Sequence, residues 1–138
     1  MISAYVPATT SFERIFEVTG EIARDPELSV FNDVTIFEDL NSLIPKEAPY
    51  DSVKALAAEL YRQNGAGGDC RSAYVVSSSV DFGLVRVYVT YRDRTPGTTK
   101  SFINDLDGAL SFVGITPSEL PRYRQLVDEL AREARGER

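Results

Sequence analysis

The chain has 138 residues, 43% of them hydrophobic, enough to bury one core without staples, and its single cysteine, Cys70, cannot form an internal disulfide. A net charge of −6, with the basic residues dispersed, argues against nucleic acid or an anionic membrane as the main partner, and no apolar run reaches spanning length. With no secretory signal and no histidine at all, the expectation is a cytoplasmic domain without a Ser-His-Asp triad or an ordinary zinc site.

Ile2 to Val6 predicts a short strand ended by Pro7, which has no N–H to donate. Thr10 and Glu13 have capping-box spacing and open a helix over about Ser11 to Arg24, with Phe12, Ile15, Phe16, Thr19 and Ile22 as its buried stripe. Gly20 weakens that helix and Asp25-Pro26 closes it. Val34 to Phe37 is the next strand. Leu40 to Tyr50, with Pro45 and Pro49, then reads as a long connection of the kind that often carries function. Asp51 or Ser52 is the expected cap of a helix with Val53, Leu56, Ala57, Leu60 and Tyr61 inward, stopped by Asn64-Gly65.

Ala73 to Val76 is a short apolar run between Gly67-Gly68 and Ser77-Ser78-Ser79, the pattern of a central strand in a covered parallel sheet, and Ser79 or Asp81 is positioned to cap a helix directly after it. Leu84 to Tyr91 reads two ways. Val85, Val87 and Val89 alternate like a strand, whereas Val80, Leu84, Val87, Tyr88 and Tyr91 have helical spacing. The gap from Val76 to Leu84 is too short for a crossover between parallel strands, so a helix over Val80 to Arg92 is expected, with an antiparallel hairpin as the alternative. Thr95-Pro96-Gly97 marks a turn and Lys100 to Ile103 a last strand. Asp105 caps a short helix with Leu106, Ala109, Leu110 and Val113 inward. Thr116-Pro117-Ser118-Glu119 then starts a further helix, which Pro121 kinks or restarts. Its apolar stripe is Tyr123, Leu126, Val127, Leu130, Ala131 and Ala134.

The succession ISAYVPATT, ARDPEL, DVTIF, DSVKALAAELYRQNG, SAYVV with SSSVDFGLVRVY, and KSFINDLDGALSFVG resembles the SpoIIAA-like branch of the STAS (sulfate transporter and anti-sigma-factor antagonist) family. The match covers about residues 1–114 and leaves 115–138 as a helical extension of the same domain. It implies an α/β domain with a mostly parallel sheet of about four strands covered by helices, supports a helix at Leu84 to Tyr91, and implies a regulatory, protein-binding role. Members of this branch usually begin with a β-hairpin, of which the first strand is missing here. Phosphorylated STAS switches carry an Asp-Ser pair, then Ser or Thr and Gly, close behind a strand; here Asp51-Ser52 is followed by Val53-Lys54 and lies far from Phe37.

Candidate sites are set by residue type and place. Ser52 at a helix start is a possible phosphorylation position, although Asp51 and Ser52 are also simply favoured caps. Ser77, Ser78 and Ser79 lie at a strand end where α/β folds bind ligands, and Phe31, Phe37, Leu43 and Ile44 are candidates to line an apolar pocket under the long connection. Such a pocket would suit a lipid-like molecule, as in CRAL-TRIO domains, which the branch resembles in outline. Asp33, Glu38 and Asp39 suit a hard cation by ligand type, but a solvated acidic edge explains them as well. Asn64 to Asp69 lacks the lysine of a phosphate-binding loop. Cys70 has no histidine to activate it, and no cofactor is expected. The leading expectation is a non-enzymatic regulatory module with a protein partner, followed by an apolar-ligand binder and, distantly, a carboxylate enzyme. A homodimer is expected through Tyr123, Leu126, Val127 and Leu130, with the edge of the Ile2 to Val6 strand as a second contact.

Overall fold

The computed structural model describes residues 1–25, 27, 31–64, 70–92 and 98–136. Its elements are β1 (Ile2–Val6), α1 (Phe12–Arg24), β2 (Asp33–Phe37), α2 (Leu40–Leu43), α3 (Pro49–Asn64), β3 (Ser72–Val76), α4 (Ser79–Arg92), β4 (Thr99–Ile103), α5 (Leu106–Phe112) and α6 (Leu120–Ala134). The strands form one all-parallel sheet in the order β1-β2-β3-β4, with Ile2 level with Asp33, Asp33 with Ser72 and Ser72 with Thr99.

That order decides where the helices go. Each right-handed crossover steps in the same direction, so every connecting helix falls on the same face. Side chains alternate along each strand, so Tyr74 and Val76 point to that face and Ala73 and Val75 to the other. On the crossover face Phe37, Leu40, Ile44, Val53, Val76, Leu84 and Val85 form a buried cluster, joined by Phe12 and Ile15 from α1. The opposite face carries Val34, Ala73, Val75, Ala109, Leu110 and Val113, flanked by Leu120 and Tyr123, and is covered by α5 and α6.

Leu84 to Tyr91 is helical. Leu84 and Val85 are 1% and 3% exposed, so burial on the sheet overrides the strand propensity of the valines. The cap is Ser78, whose Oγ accepts from the Asp81 N–H at 3.2 Å, so neither Ser79 nor Asp81 caps this helix. At α1 the cap is Ser11, accepting from the Arg14 N–H at 3.1 Å, and not Thr10, whose N–H closes a turn back to the Pro7 carbonyl. The side chains of Phe16, Thr19, Ile22, Leu60 and Tyr61 lie outside the described residues, as do Pro26, the 65–69 run and the Thr95-Pro96-Gly97 turn.

The expected long connection is mostly helical. α2 forms at Leu40, and α3 begins at Pro49, where proline's missing N–H costs no bond. Asp51 and Ser52 therefore sit inside the first turn of α3 and do not cap it; the Ser52 N–H and hydroxyl both donate to the Ala48 carbonyl, at 3.0 and 2.8 Å.

Asp105 caps α5 as expected, accepting from the Gly108 N–H at 2.9 Å, and a Cβ at position 108 would collide with its carboxylate. The helix ends in a Schellman motif with Gly114 at φ +101°, the Ile115 N–H bonding to Leu110 and that of Gly114 to Ser111. At Thr116 one half of a capping box forms, with the Glu119 carboxylate accepting from the Thr116 N–H, but only a turn follows and the helix restarts at Leu120 with Pro121 in its first turn. α6 packs back on β1 and α5 of its own chain, burying Val127 and Ala131. Among the described residues no helix is long and apolar enough to cross a membrane.

Candidate functional site

In parallel sheets the rim at the C-terminal strand ends is where ligands bind, in the crevice at which the strand order reverses. The order β1-β2-β3-β4 never reverses. The loops are instead tied to the strand ends and, at Ser77, to one another. The Glu38 N–H donates to the Val6 carbonyl at 3.0 Å, the Ser77 hydroxyl to the Glu38 carbonyl at 3.0 Å, and the Asn104 N–H to the Val76 carbonyl at 2.9 Å. Asn104 turns this last corner at φ +48°, a left-handed conformation that asparagine tolerates better than most residues.

Asp81 is the keystone of this rim. Its side chain is 1% exposed, and its two carboxylate oxygens accept from successive backbone N–H groups across the rim, Oδ2 from Leu40 at 3.1 Å and Oδ1 from Asn41 at 2.9 Å. A buried carboxylate needs such donors. An isolated four-residue helix cannot repay its nucleation cost, so α2 exists because α4 supplies an acceptor for its first N–H groups and Leu40 and Ile44 enter the core on either side. Asp39 satisfies the next donor, the Ser42 N–H at 3.3 Å.

Beside the keystone lies a half-buried polar triad. The Tyr5 hydroxyl donates to Glu38 Oε2 at 2.9 Å, and Arg135 donates to the Tyr5 oxygen at 2.6 Å and to Glu38 Oε2 at 3.3 Å, with its guanidinium 5.2 Å from the Tyr5 ring centre. The hydrogen bond from Tyr5, then that from Arg135, holds the Glu38 carboxyl below its ordinary value. Tyr5 is pushed up, chiefly by burial and then by its bond to Glu38. At the far end of β2, burial raises Asp33, opposed by a hydrogen bond from Ser72. Asp33 is thus a strand's length from Glu38 and Asp39, and among the described residues no three His, Cys, Asp or Glu side chains gather as a metal site would need.

The other expected site residues are dispersed. Ser77 and Ser78 are used in the rim and the α4 cap, and Ser79 is exposed as the first residue of α4. Phe37 and Ile44 are core members at 8% and 4% exposure, and Leu43 is half-buried. Phe31 is 49% exposed at the opposite end of β2. The four apolar candidates therefore do not line one pocket. A shallow depression of about 350 Å³ lies instead between Asn104, Asp105, Leu106, Asp107, Arg124 and Asp128. There Arg124 grips Asp107 with two parallel bonds of 2.7 Å, which uses its fork and lowers the Asp107 carboxyl.

Compared with models of protein families, with characterised proteins and with solved structures, the chain matches none. Sequence reasoning missed Asp81 as the bracket of α2 and the Tyr5, Glu38 and Arg135 triad. Their partners lie 40 or 41 residues away for Asp81 and up to 130 for Tyr5, so no local pattern signals them.

Proposed function

We propose that the chain is a non-enzymatic regulatory module of the STAS type that works by binding a protein partner. One observation carries this reading: the corners after β2, β3 and β4 are tied together, the Ser77 hydroxyl to the Glu38 carbonyl and the Asn104 amide to the Ser77 carbonyl, with Asp81 sealed beneath them. A four-stranded parallel sheet covered by helices also agrees with the α/β fold that the resemblance implies. Such a domain offers partners its helix faces and sheet edges, where Val80 and Ile103 remain 54% and 44% exposed.

The test is native mass spectrometry of the full chain purified gently from its own cells, with photo-crosslinking from position 80. The reading expects the bare polypeptide, without a bound small molecule, and a discrete adduct with a second protein. A stoichiometric lipid-like ligand that is lost on Leu43→Glu substitution would contradict it and favour an apolar-ligand binder.

A further inference from the structure

β1 is an edge strand, and its sequence, Ile2 to Val6, carries none of the charges that guard sheet edges, whereas β4 at the other edge presents the exposed Lys100. α6 lies over β1, and its rotation can be read from its ties. At about 100° per residue, Arg124, Asp128 and Arg135 fall on one flank of the buried Val127 and Ala131. That flank, although exposed, is turned toward α5 and the end of β2, because Arg124 is bonded to Asp107 of α5 and Arg135 reaches Glu38. The opposite flank is therefore turned away from α5, toward the outer side of β1. Arg122, Leu126, Leu130 and Glu133 all fall on it, within an arc of about 80°. Leu126 is 45% exposed there.

We propose that this side is where a second copy of the chain docks, with β1 against β1 and α6 against α6 about a two-fold axis. The charges fit a second copy. Two α6 helices related by an axis passing between Val127 and Asp128 run antiparallel, with Leu126 and Leu130 at the centre and Arg122 of each opposite Glu133 of the other. The pair occurs twice, and among these four residues no like charges are set against each other. The unguarded edge of β1 then gains an antiparallel partner, giving a continuous eight-stranded sheet from two four-stranded ones.

Sedimentation equilibrium of the full chain tests this, with circular dichroism as the folding control. The wild type forms a reversible dimer. Arg122→Glu or Glu133→Arg alone weakens it about tenfold, since two symmetry-related pairs turn from attraction to repulsion. The two substitutions combined restore it, a recovery that misfolding cannot imitate. A wild type that stays monomeric at high micromolar concentration overturns the proposal, as does a dimer unmoved by both Leu126→Glu and either charge reversal. Neither result bears on whether another protein is bound elsewhere.

Discussion

Leu84 on one face of the sheet and Leu110 on the other are equally buried, at 1% and 0% exposure, yet their helices arrive there for different reasons. α4 is a crossover, and a sheet that grows in one direction must lay all its crossovers on one side. The second face receives no crossover, and its cover comes from the chain that follows β4, α5 and then α6. The crossover face is filled by large side chains meeting from both layers, such as Phe37, Leu40, Ile44 and Leu84. The second face is lined by smaller ones, Ala73 and Ala109 among them, and its outer helix is also held by the polar ties of Arg124 and Arg135. The fold thus has an obligatory layer and an appended one.

The sharpest way to break that distinction is to hollow each face. Leu84→Ala and Leu110→Ala should each cost about 2–5 kcal/mol in denaturant unfolding, both sites being sealed. Either one costing less than a surface substitution would show that its face is not packed as described. Next, a chain ending at Gly114 removes α6. It should lose about 3 kcal/mol, the burial of Val127 and its neighbours, while keeping the helix and strand signal of the remainder. Outright unfolding would mean that the second layer is as obligatory as the first.

The smallest effect concerns pH and compares the two ends of β2. Glu38 has a lowered pKa in the fold, so its contribution is present above the unfolded value of about 4.3 and is lost as pH falls through the folded one. Asp33 has a raised pKa, so its contribution is present below the unfolded value and is lost as pH rises through the folded one. Melting temperatures followed into acid should therefore fall less steeply for Glu38→Gln than for the parent, and more steeply for Asp33→Asn. Identical slopes in all three would remove both assignments.

Most of the architecture was legible because the periodicities are local. Ala73 to Val76 and the stripe of Leu106, Ala109, Leu110 and Val113 state their own structure, and the short gap after Val76 resolves the ambiguous Leu84 to Tyr91. Caps were legible only to within a residue or two, since Thr10 beside Ser11 and Ser79 beside Ser78 offer the same hydroxyl chemistry. α2 was not legible. Leu40 to Leu43 is too short to show a period, and the carboxylate that stabilises it belongs to Asp81, 41 residues on from Leu40. The candidate ligand residues did not converge because hydrophobicity marks Phe31, Phe37 and Ile44 alike, while β2 separates Phe31 from Phe37 and the end of α2 carries Ile44 into the core.

The closed rim is the central claim, and amide hydrogen exchange at Leu40 and Asn41 tests it most directly. These are the first two N–H groups of a four-residue helix, which would exchange almost freely if left to themselves. With Asp81 accepting from both, they should be protected to a degree approaching β2 and β3, and Asp81→Ala should abolish that protection while the strands keep theirs. Fast exchange at both positions in the wild type would contradict the account and reopen the rim as a binding site.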